Sequence, residues 1–221
     1  MPGSRPSELK RHVHLMLEAS VLVAERLKIA RVLRSEDRLK VQIPLPMTAD
    51  LVKESEKIYS WVESHPDSLA HLNIKVSQGN SAENMIAADV ALVKSGTSTL
   101  EAGVLGCLHA VVYKPSVLSE WIFKLFIRYK GPVGLVNLVA GWKKGEPYLV
   151  REILMDEVTV QNLVDETISL WTDSARRSAM KSGFNALRIK VAGNSSEEGP
   201  SAIAAREILS VAMGRSKISV I

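Results

Sequence analysis

Residues 90–113 constrain the fold more than any other part of this sequence, because they contain a strand, a loop, a helix and a second strand in succession. The runs 90–93 and 109–113 are apolar and have the length of strands. Between them, the loop 94–99 (Lys-Ser-Gly-Thr-Ser-Thr) is small and hydroxylated, and residues 100–106 have the composition of a helix. A unit of this kind predicts two neighbouring parallel strands joined by a helical crossover.

The loop 94–99 is suited to holding an anion at the N-terminus of its helix. Such a loop leaves backbone N–H groups free, and the helix dipole adds a positive potential there. Phosphate is the usual biological anion for a site of this kind. The alternative is that Ser98 and Glu101 form a capping box and that nothing binds.

A second loop of similar composition opens the chain. Gly3 supplies conformational freedom, Ser4 a hydroxyl donor and Arg5 a planar fork that suits phosphate oxygens, and a long helix follows. In a doubly wound α/β domain such loops follow strands, but only Met1 and Pro2 stand before Gly3. We therefore interpret the chain as beginning within a βα unit, through truncation or through a start site placed too far downstream.

The composition is that of a globular protein. Of the 221 residues, 46% are apolar and 24% are charged, which indicates a packed core rather than disorder. A single cysteine, Cys107, rules out an internal disulfide and fits a reducing compartment. No run approaches the ~20 apolar residues of a membrane span. The five histidines lack the spacing of metal ligands, so we expect no metal and no cofactor.

Strand and helix patterns alternate up to residue 113, and only helical patterns follow. We therefore predict an α/β fold, a doubly wound parallel sheet with helices on both faces, followed by a helical C-terminal extension. The missing first strand should leave a gap or an apolar edge beside the N-terminal loop, and hence poor solubility in isolation. After residue 113 the predicted helices are 118–127, 149–154, 160–171, 173–191 and 201–213, with a Gly-rich loop at 129–145.

Five motifs follow one another across nearly the whole chain. They are Pro-Gly-Ser-Arg at 2–5 with Glu8, Ala-Ala-Asp-Val-Ala-Leu at 87–92, Ser-Gly-Thr-Ser-Thr-Leu-Glu at 95–101, Val-Val-Tyr-Lys at 111–114 and Asn-Leu-Val-Ala-Gly at 137–141. In this combination and order the chain resembles the lipid-A-disaccharide synthase family, glycosyltransferases of the two-domain GT-B fold. The resemblance covers only the carboxyl-terminal half of that family.

The resemblance implies one half of a GT-B fold with its first strand missing. Residues 1–172 would form a Rossmann-like domain that binds a UDP-sugar, truncated at its N-terminus, and residues 173–221 a helical extension. The implied activity is a hexosyl transfer in lipid A biosynthesis, from UDP-2,3-diacylglucosamine to lipid X (2,3-diacylglucosamine 1-phosphate). In this family the amino-terminal half supplies acceptor surface and the general base, so we expect the fragment to bind UDP weakly and to be inactive alone.

Two alternatives remain open at this point. The chain could be a non-catalytic UDP-binding remnant, the product of a truncated reading frame. It could also be another transferase of the UDP-GlcNAc type with a GT-B fold, such as the one that builds the peptidoglycan lipid intermediate, although the motif at 137–141 argues against this.

By the same resemblance, each site residue has an expected role. Arg5 would stabilise the negative charge that develops on the departing UDP, and Glu101 would accept hydrogen bonds from the ribose hydroxyls. Asn137 would hold the sugar or the uracil edge, or else fix its own loop through an Asx-turn. The residues expected to present N–H groups and hydroxyls to the phosphates are Gly3, Ser4, Ser95, Gly96, Thr97, Ser98 and Thr99. All should converge in one cleft at the carboxyl ends of the strands.

The expected partners are the UDP-sugar donor and a lipid monosaccharide acceptor, with no nucleic acid. The expected location is the cytoplasm, with a peripheral position on the inner face of the bacterial inner membrane left open, as is a homo-oligomer. The net charge of +4 is mild and permits an anionic ligand or lipid surface. Residues 118–128 combine aromatic side chains with cations. Packing against the sheet is the favoured interpretation of this segment, and contact with a membrane is the alternative.

Overall fold

The computed structural model describes residues 1–115, 131–192 and 199–213, and within these ranges it contains five strands and nine α-helices. In chain order they are α1 (Pro6–Ile29), β1 (Leu39–Leu45), α2 (Leu51–Glu63), α3 (Pro66–His71), β2 (Leu72–Gln78), α4 (Ser81–Ala87), β3 (Ala91–Lys94), α5 (Thr97–Leu105), β4 (His109–Tyr113), α6 (Leu135–Ala140), β5 (Glu152–Leu154), α7 (Val160–Thr172), α8 (Ser174–Ala192) and α9 (Pro200–Ala212). The helix predicted at 118–127 lies outside the described residues.

The strands form two parallel sheets. β1 pairs with β2, and β4 lies between β3 and β5 in the second sheet, with Val93 opposite Val111 and Val112 opposite Ile153. All pairs among the described strands are parallel, and parallel pairing requires crossover connections, which the helices supply. The predicted α/β class is confirmed, and the arrangement fits one half of a GT-B fold.

Strand β5 shows that the prediction of helices alone after Tyr113 is wrong. The sequence predicts a helix over residues 149–154, but β5 pairs with β4, and the Val111 N–H donates to the Arg151 carbonyl at 3.0 Å. The run Leu-Val-Arg-Glu-Ile-Leu spaces its apolar side chains as a helix would, and periodicity cannot assign so short a run. The pairing that decides its structure lies about forty residues away along the chain, where local patterns do not show it.

Two short helices and one helix boundary also differ from the sequence predictions. Helix α3 has no predicted counterpart, and α6 lies within the loop predicted at 129–145. Helix α5 begins at Thr97, three residues before its predicted start, so the hydroxylated loop is shorter than expected. Only Ser95 and Gly96 separate β3 from α5.

Helix α1 packs against both sheets and joins them. Its first turns bury their apolar face on β1, and its last turns pack on β4 and β5. The first cluster contains Leu9, Val13, Leu17, Ile43 and Leu45, and the second contains Ala19, Val23, Leu27, Ala110, Val112 and Ile153. Because burying each leucine contributes on the order of 2–3 kcal/mol, this helix is a principal support of both sheets.

The two sheets are separated, between β1 and β3, by a cavity of about 450 Å³. Met1 reaches its edge and bonds to β3: the Met1 amine donates to the Leu92 carbonyl at 2.9 Å, and the Lys94 N–H donates to the Met1 carbonyl at 2.9 Å. This is the bonding of a parallel ladder, with Met1 opposite Val93. The sheet is therefore interrupted beside the N-terminal loop, where the sequence predicts a gap.

The last part of the core lies between α5 and α8. Phe184 and Leu187 of α8 are fully buried, and a Cβ added at Gly103 of α5 would lie 2.9 Å from side-chain carbons of both Leu187 and Val136. Glycine at this position therefore allows α5 to press closely on its neighbours. Since α8 completes this core, the boundary predicted after residue 172 crosses a packed interface, and the division into domains stays a prediction.

Candidate functional site

The two Gly-bearing loops meet at the carboxyl end of β3. The first loop enters α1 and the second joins β3 to α5. They are linked by an ion pair between Glu8 in the first turn of α1 and Lys94 at the end of β3, with Oε1 and Nζ 2.9 Å apart. This pair brings Arg5 and Gly96 to the same end of the sheet, as the hypothesis of a shared site requires.

Glu8 holds the first loop from the inside. Its Oε2 accepts hydrogen bonds from the N–H groups of Ser4 (2.9 Å) and Arg5 (3.3 Å). Gly3 has a φ of +130°, and a Cβ there would lie 2.6 Å from the Glu8 Cβ, so no other residue fits. The backbone N–H groups of Ser4 and Arg5 are thus satisfied within the protein. The group that the loop presents outward is the Arg5 side chain, which is 77% exposed.

The carboxyl group of Glu8 is held in its charged form. Burial raises its pKa, but the hydrogen bond and charge of Lys94, with the N–H groups of Ser4 and Arg5, outweigh burial and lower the pKa to about 2. The two partners of the ion pair are largely enclosed, with side-chain exposures of 6% for Glu8 and 17% for Lys94. Arg5 is a third member of this group, since its Nη1 lies 3.3 Å from the same Glu8 Oε1. One carboxylate thus faces two cations, and Arg5 is the exposed one.

His12 connects the same helix to the end of β4. Its Nδ1–H donates to the Glu8 carbonyl at 2.8 Å, and its Nε2 accepts from the Lys114 N–H at 3.1 Å. Burial lowers its pKa, which favours the neutral ring that this pair of bonds requires. Both ring nitrogens are occupied, so His12 is a structural residue of the site and not a free base.

Buried hydroxyl groups fix the second loop. The Ser95 N–H donates to the Val112 carbonyl at 2.9 Å, and the Ser95 Oγ donates to the Val133 carbonyl at 3.1 Å. The Thr99 Oγ1 donates to the Gly96 carbonyl at 2.8 Å. Ser95 and Thr99 are both buried, so these hydroxyls hold the loop rather than face a ligand.

The open part of this loop is its backbone at the start of α5. The N-cap is Gly96 and no side chain caps the helix, so the alternative of a Ser98–Glu101 capping box is wrong. Gly96 and Thr97 are exposed, and a Cβ at Gly96 would meet nothing within 4 Å. The first N–H groups of a helix lack an intrahelical acceptor. An anion could therefore approach the backbone here, with Glu101 exposed one turn further along.

Asn137 lies beneath the second loop. It is fully buried; its Nδ2 donates to the Val150 carbonyl (2.8 Å) and to Glu152 Oε1 (2.7 Å), and its Oδ1 accepts from the Val150 N–H at 3.0 Å. Glu152 also accepts from the N–H groups of Val133 (2.7 Å) and Gly134 (2.8 Å). The geometry favours the interpretation that Asn137 fixes its loop, although it does so by bonds to β5 and not by an Asx-turn.

The predicted site residues therefore lie in two layers. The inner layer supports the loops through buried contacts, and the outer layer is open to solvent. The inner residues are Gly3, Ser95, Thr99 and Asn137, and the outer residues are Ser4, Arg5, Gly96, Thr97, Ser98 and Glu101.

Three residues that support the site have no role in the sequence predictions: Lys94, His12 and Glu152. Lys94 stands at the end of a strand directly before the Ser-Gly loop, and this position is a usable signal. Glu152 becomes recognisable only when β5 is known to be a strand, because its partners lie 15 to 19 residues away in sequence.

Two features are absent from the described ranges: a cluster of metal ligands and a helix that could span a membrane. In residues 1–115, 131–192 and 199–213 no group of three or more His, Cys, Asp or Glu side chains could hold a metal ion. None of the helices described there is both long and apolar enough to cross a bilayer.

The fold is that of one half of a GT-B protein. The family described as Lipid-A-disaccharide synthetase matches residues 1–206, and the chain belongs to this family.

Curated relatives agree with this assignment. The chain is 34% identical over 211 residues to the lipid-A-disaccharide synthase of Anaeromyxobacter dehalogenans strain 2CP-C, covering 96% of this chain and 48% of that protein. It is 32% identical to the synthase of Myxococcus xanthus strain DK1622, covering 95% of this chain and 47% of that protein. It is 31% identical to that of Enterobacter sp. strain 638, covering 92% of this chain and 47% of that protein. The chain thus spans about half the length of the curated relatives it matches.

Proposed function

We propose that this chain is the donor-binding half of a lipid-A-disaccharide synthase. The complete enzyme would transfer a 2,3-diacylglucosamine unit from UDP to lipid X. The proposal is supported by the family match and by the names of the relatives. The structural observation that carries it is the Glu8–Lys94 ion pair, which places the Arg5 loop and the open N-terminus of α5 at the same end of the sheet.

The outer layer of the site is suited to a diphosphate. Arg5 offers a guanidinium to phosphate oxygens, and the N-terminus of α5 offers backbone N–H groups with the favourable end of the helix dipole. Both groups would stabilise the charge that develops as UDP leaves, without a metal ion. Glu101 would accept hydrogen bonds from the ribose. Asn137 would act indirectly, by keeping the loop below α5 in place.

We do not expect the chain to catalyse the transfer alone. An acceptor hydroxyl needs a base within hydrogen-bond reach. Of the two buried histidines near the sheet, His12 has both nitrogens bonded, and His109 is enclosed against Phe184. The base and the lipid acceptor surface would belong to the complementary half of the enzyme. The transfer would take place at the cytoplasmic face of the inner membrane, with the protein bound peripherally.

Calorimetric titration with UDP tests the donor site. We expect Arg5→Ala to weaken UDP binding by at least about tenfold, because one charge-assisted hydrogen bond is worth about 1.5–3 kcal/mol and 1.4 kcal/mol is a factor of ten. The same substitution should weaken the binding of UMP less, because UMP lacks the second phosphate. The matched control is Arg34→Ala, which removes another exposed arginine after the far end of α1. Absence of UDP binding, or an equal loss in both variants, would contradict the proposal.

An activity assay separates an enzyme half from a non-catalytic remnant. The chain joined to the complementary half of a relative should form disaccharide from UDP-diacylglucosamine and lipid X, and Arg5→Ala should remove most of that activity. Failure of the joined protein, with UDP binding intact, would favour the remnant. Disaccharide formation by the 221-residue chain alone would refute the assignment of the base to the other half.

A further inference from the structure

The carboxylate of Glu8 divides its contacts between its two oxygens. Oε2 accepts hydrogen bonds from the backbone N–H groups of Ser4 and Arg5. Oε1 faces two cations, because the Lys94 Nζ lies 2.9 Å away and the Arg5 Nη1 lies 3.3 Å away. The three charged side chains together carry one positive charge in excess. The cation that holds Oε1 more firmly therefore decides which of the two is available to a ligand.

The two cations hold this oxygen unequally. Lys94 stands at the end of β3, and its side chain is largely enclosed. Its Nζ also lies 5.6 Å from the centre of the Tyr113 ring, within the range of a cation–π contact. Arg5 makes the longer contact from an exposed side chain. Because water screens exposed ion pairs more than enclosed ones, Lys94 is the firm partner of Glu8 and Arg5 is the exchangeable one.

The presence of Lys94 makes it easier to move Arg5 away from Glu8. Removing the only cation beside a buried carboxylate leaves an uncompensated charge, which is strongly unfavourable. Lys94 remains beside Glu8 and keeps it compensated, so the Arg5 guanidinium can turn to another anion without that penalty. If Lys94 were neutral, Glu8 would compete with an incoming anion for the same guanidinium.

Lys94 is placed to act through Glu8 rather than by touching a ligand. Its ammonium contacts the carboxylate of Glu8 and the ring of Tyr113, and only 17% of its side chain is exposed. The exposed groups at this end of the sheet are the Arg5 side chain and the backbone at Gly96 and Thr97. An anion that approaches from solvent would therefore meet these groups, and not Lys94.

We infer that Lys94 is a positioning residue for the donor diphosphate: by holding Glu8, it releases Arg5 to bind the phosphates. The inference rests on the proposed UDP site and adds to it a residue that does not contact the ligand. On binding, the Arg5 guanidinium leaves Glu8 Oε1 for a phosphate oxygen. The Glu8–Lys94 pair stays closed, and Glu8 Oε2 keeps its bonds to the loop.

A double-mutant cycle of Lys94 and Arg5, measured by calorimetric titration with UDP, tests the inference. Lys94→Met removes the charge and keeps the length of the side chain, and we expect it to weaken UDP binding about fivefold or more. In a chain that already carries Arg5→Ala, the same change should weaken binding by less than about twofold, because the guanidinium that Glu8 would capture is gone. Lys10→Met is the matched control, since it removes the charge of an exposed lysine from the same part of α1 and should have little effect.

Two further variants separate the role of Lys94 in binding from its role in folding. Adding Glu8→Gln to Lys94→Met removes the competing carboxylate together with its uncompensated charge. This variant should fold, as judged by circular dichroism, and regain most of the UDP affinity. Lys94→Arg keeps the charge and should also retain most of the affinity.

Four results would overturn the inference while leaving the donor site in place. They are an unchanged UDP affinity in Lys94→Met, an equal loss in Lys10→Met, an equal loss from Lys94→Met with and without Arg5→Ala, and a failure of Glu8→Gln to restore binding to Lys94→Met. Lys94 would then act directly, through long-range charge or only through the fold. Absence of UDP binding by the unmodified chain would instead contradict the proposed function and, with it, this inference.

Discussion

Glu8 and Glu152 hold two loops of this protein by the same device, yet among the described residues only Glu8 is paired with a cation. Each carboxylate is buried and accepts hydrogen bonds from two consecutive backbone N–H groups, those of Ser4 and Arg5 or those of Val133 and Gly134. Beyond these, Glu8 bonds to Lys94 and to the Arg5 guanidinium, and Glu152 bonds to the neutral amide of Asn137. The clamp at the open site is therefore an ion pair, and the clamp beneath it is a network of neutral donors.

The two clamps differ in how far each depends on charge. The Glu8 clamp joins helix α1 and its N-terminal loop to strand β3, and Lys94 is the strongest of the groups that lower the pKa of its carboxyl. The Glu152 clamp joins strand β5 to the loop at Val133 and Gly134 and to helix α6, and it depends on the number of donors it satisfies. Removing either carboxylate leaves two backbone N–H groups without that acceptor, but only the Glu8 clamp should respond strongly to the loss of a charge.

The largest expected effect is that of Glu152→Ala. It leaves the N–H groups of Val133 and Gly134 without an acceptor and removes one of the two acceptors of the Asn137 amide. Each buried unsatisfied donor costs about 1–3 kcal/mol. We expect the free energy of unfolding, measured in urea, to fall by about 3 kcal/mol or more. Glu157→Ala, at an exposed glutamate nearby, should change it little. A loss below about 1 kcal/mol for Glu152→Ala would show that the loop does not depend on this clamp.

The next effect is that of Lys94→Met, which keeps the length of the side chain and removes its charge. Glu8 would then be a buried carboxylate with only the exposed Arg5 as a cationic partner, so we expect a loss of about 2 kcal/mol or more in unfolding free energy. Adding Glu8→Gln to this variant should restore part of the loss, because the uncompensated charge is gone. A double-mutant cycle measures the coupling, and additive losses would mean that the two side chains act independently.

The smallest effect is a dependence of stability on pH with two separate causes. His109 has its pKa lowered to about 4 by burial, so its contribution is complete above its ordinary value of 6.5 and is lost as the pH falls towards 4. Glu8, with a pKa of about 2, contributes fully above 4.5 and loses this contribution as the pH falls towards 2. Each group adds a slope of at most about 1.4 kcal/mol per pH unit.

Glu8→Gln separates the two causes. The unfolding free energy of this variant is measured from pH 7 to pH 3. Its decrease between pH 6.5 and 4, which comes from His109, should remain. The further decrease below pH 4.5, which comes from Glu8, should be absent. If the variant and the original protein showed the same curve below pH 4.5, the Glu8–Lys94 pair would not be the source of the acid sensitivity.

The sequence predicts the parts of this structure that depend on local patterns. The apolar runs of β1 to β4, the long helix α1 and the two Gly-bearing loops all carry their signals within a few residues. Residues 149–154 show where such signals end, because β5 is defined by its pairing with β4. Asn137 can be buried because Glu152 of β5 accepts a hydrogen bond from its amide group. Long-range pairing therefore explains both the wrong helix and the different geometry at Asn137.

The close packing of Gly103 has a consequence for the thermodynamics of ligand binding. With α5 pressed against Leu187 and Val136, and with Ser95 and Thr99 bonded beneath, the backbone at the start of α5 is already ordered before a ligand arrives. A ligand bound there would immobilise little beyond the exposed Arg5 side chain, which costs about 0.5–1.5 kcal/mol in lost rotamer freedom. The entropic cost of recognition would thus be concentrated in one side chain, while the backbone that receives the anion remains unchanged.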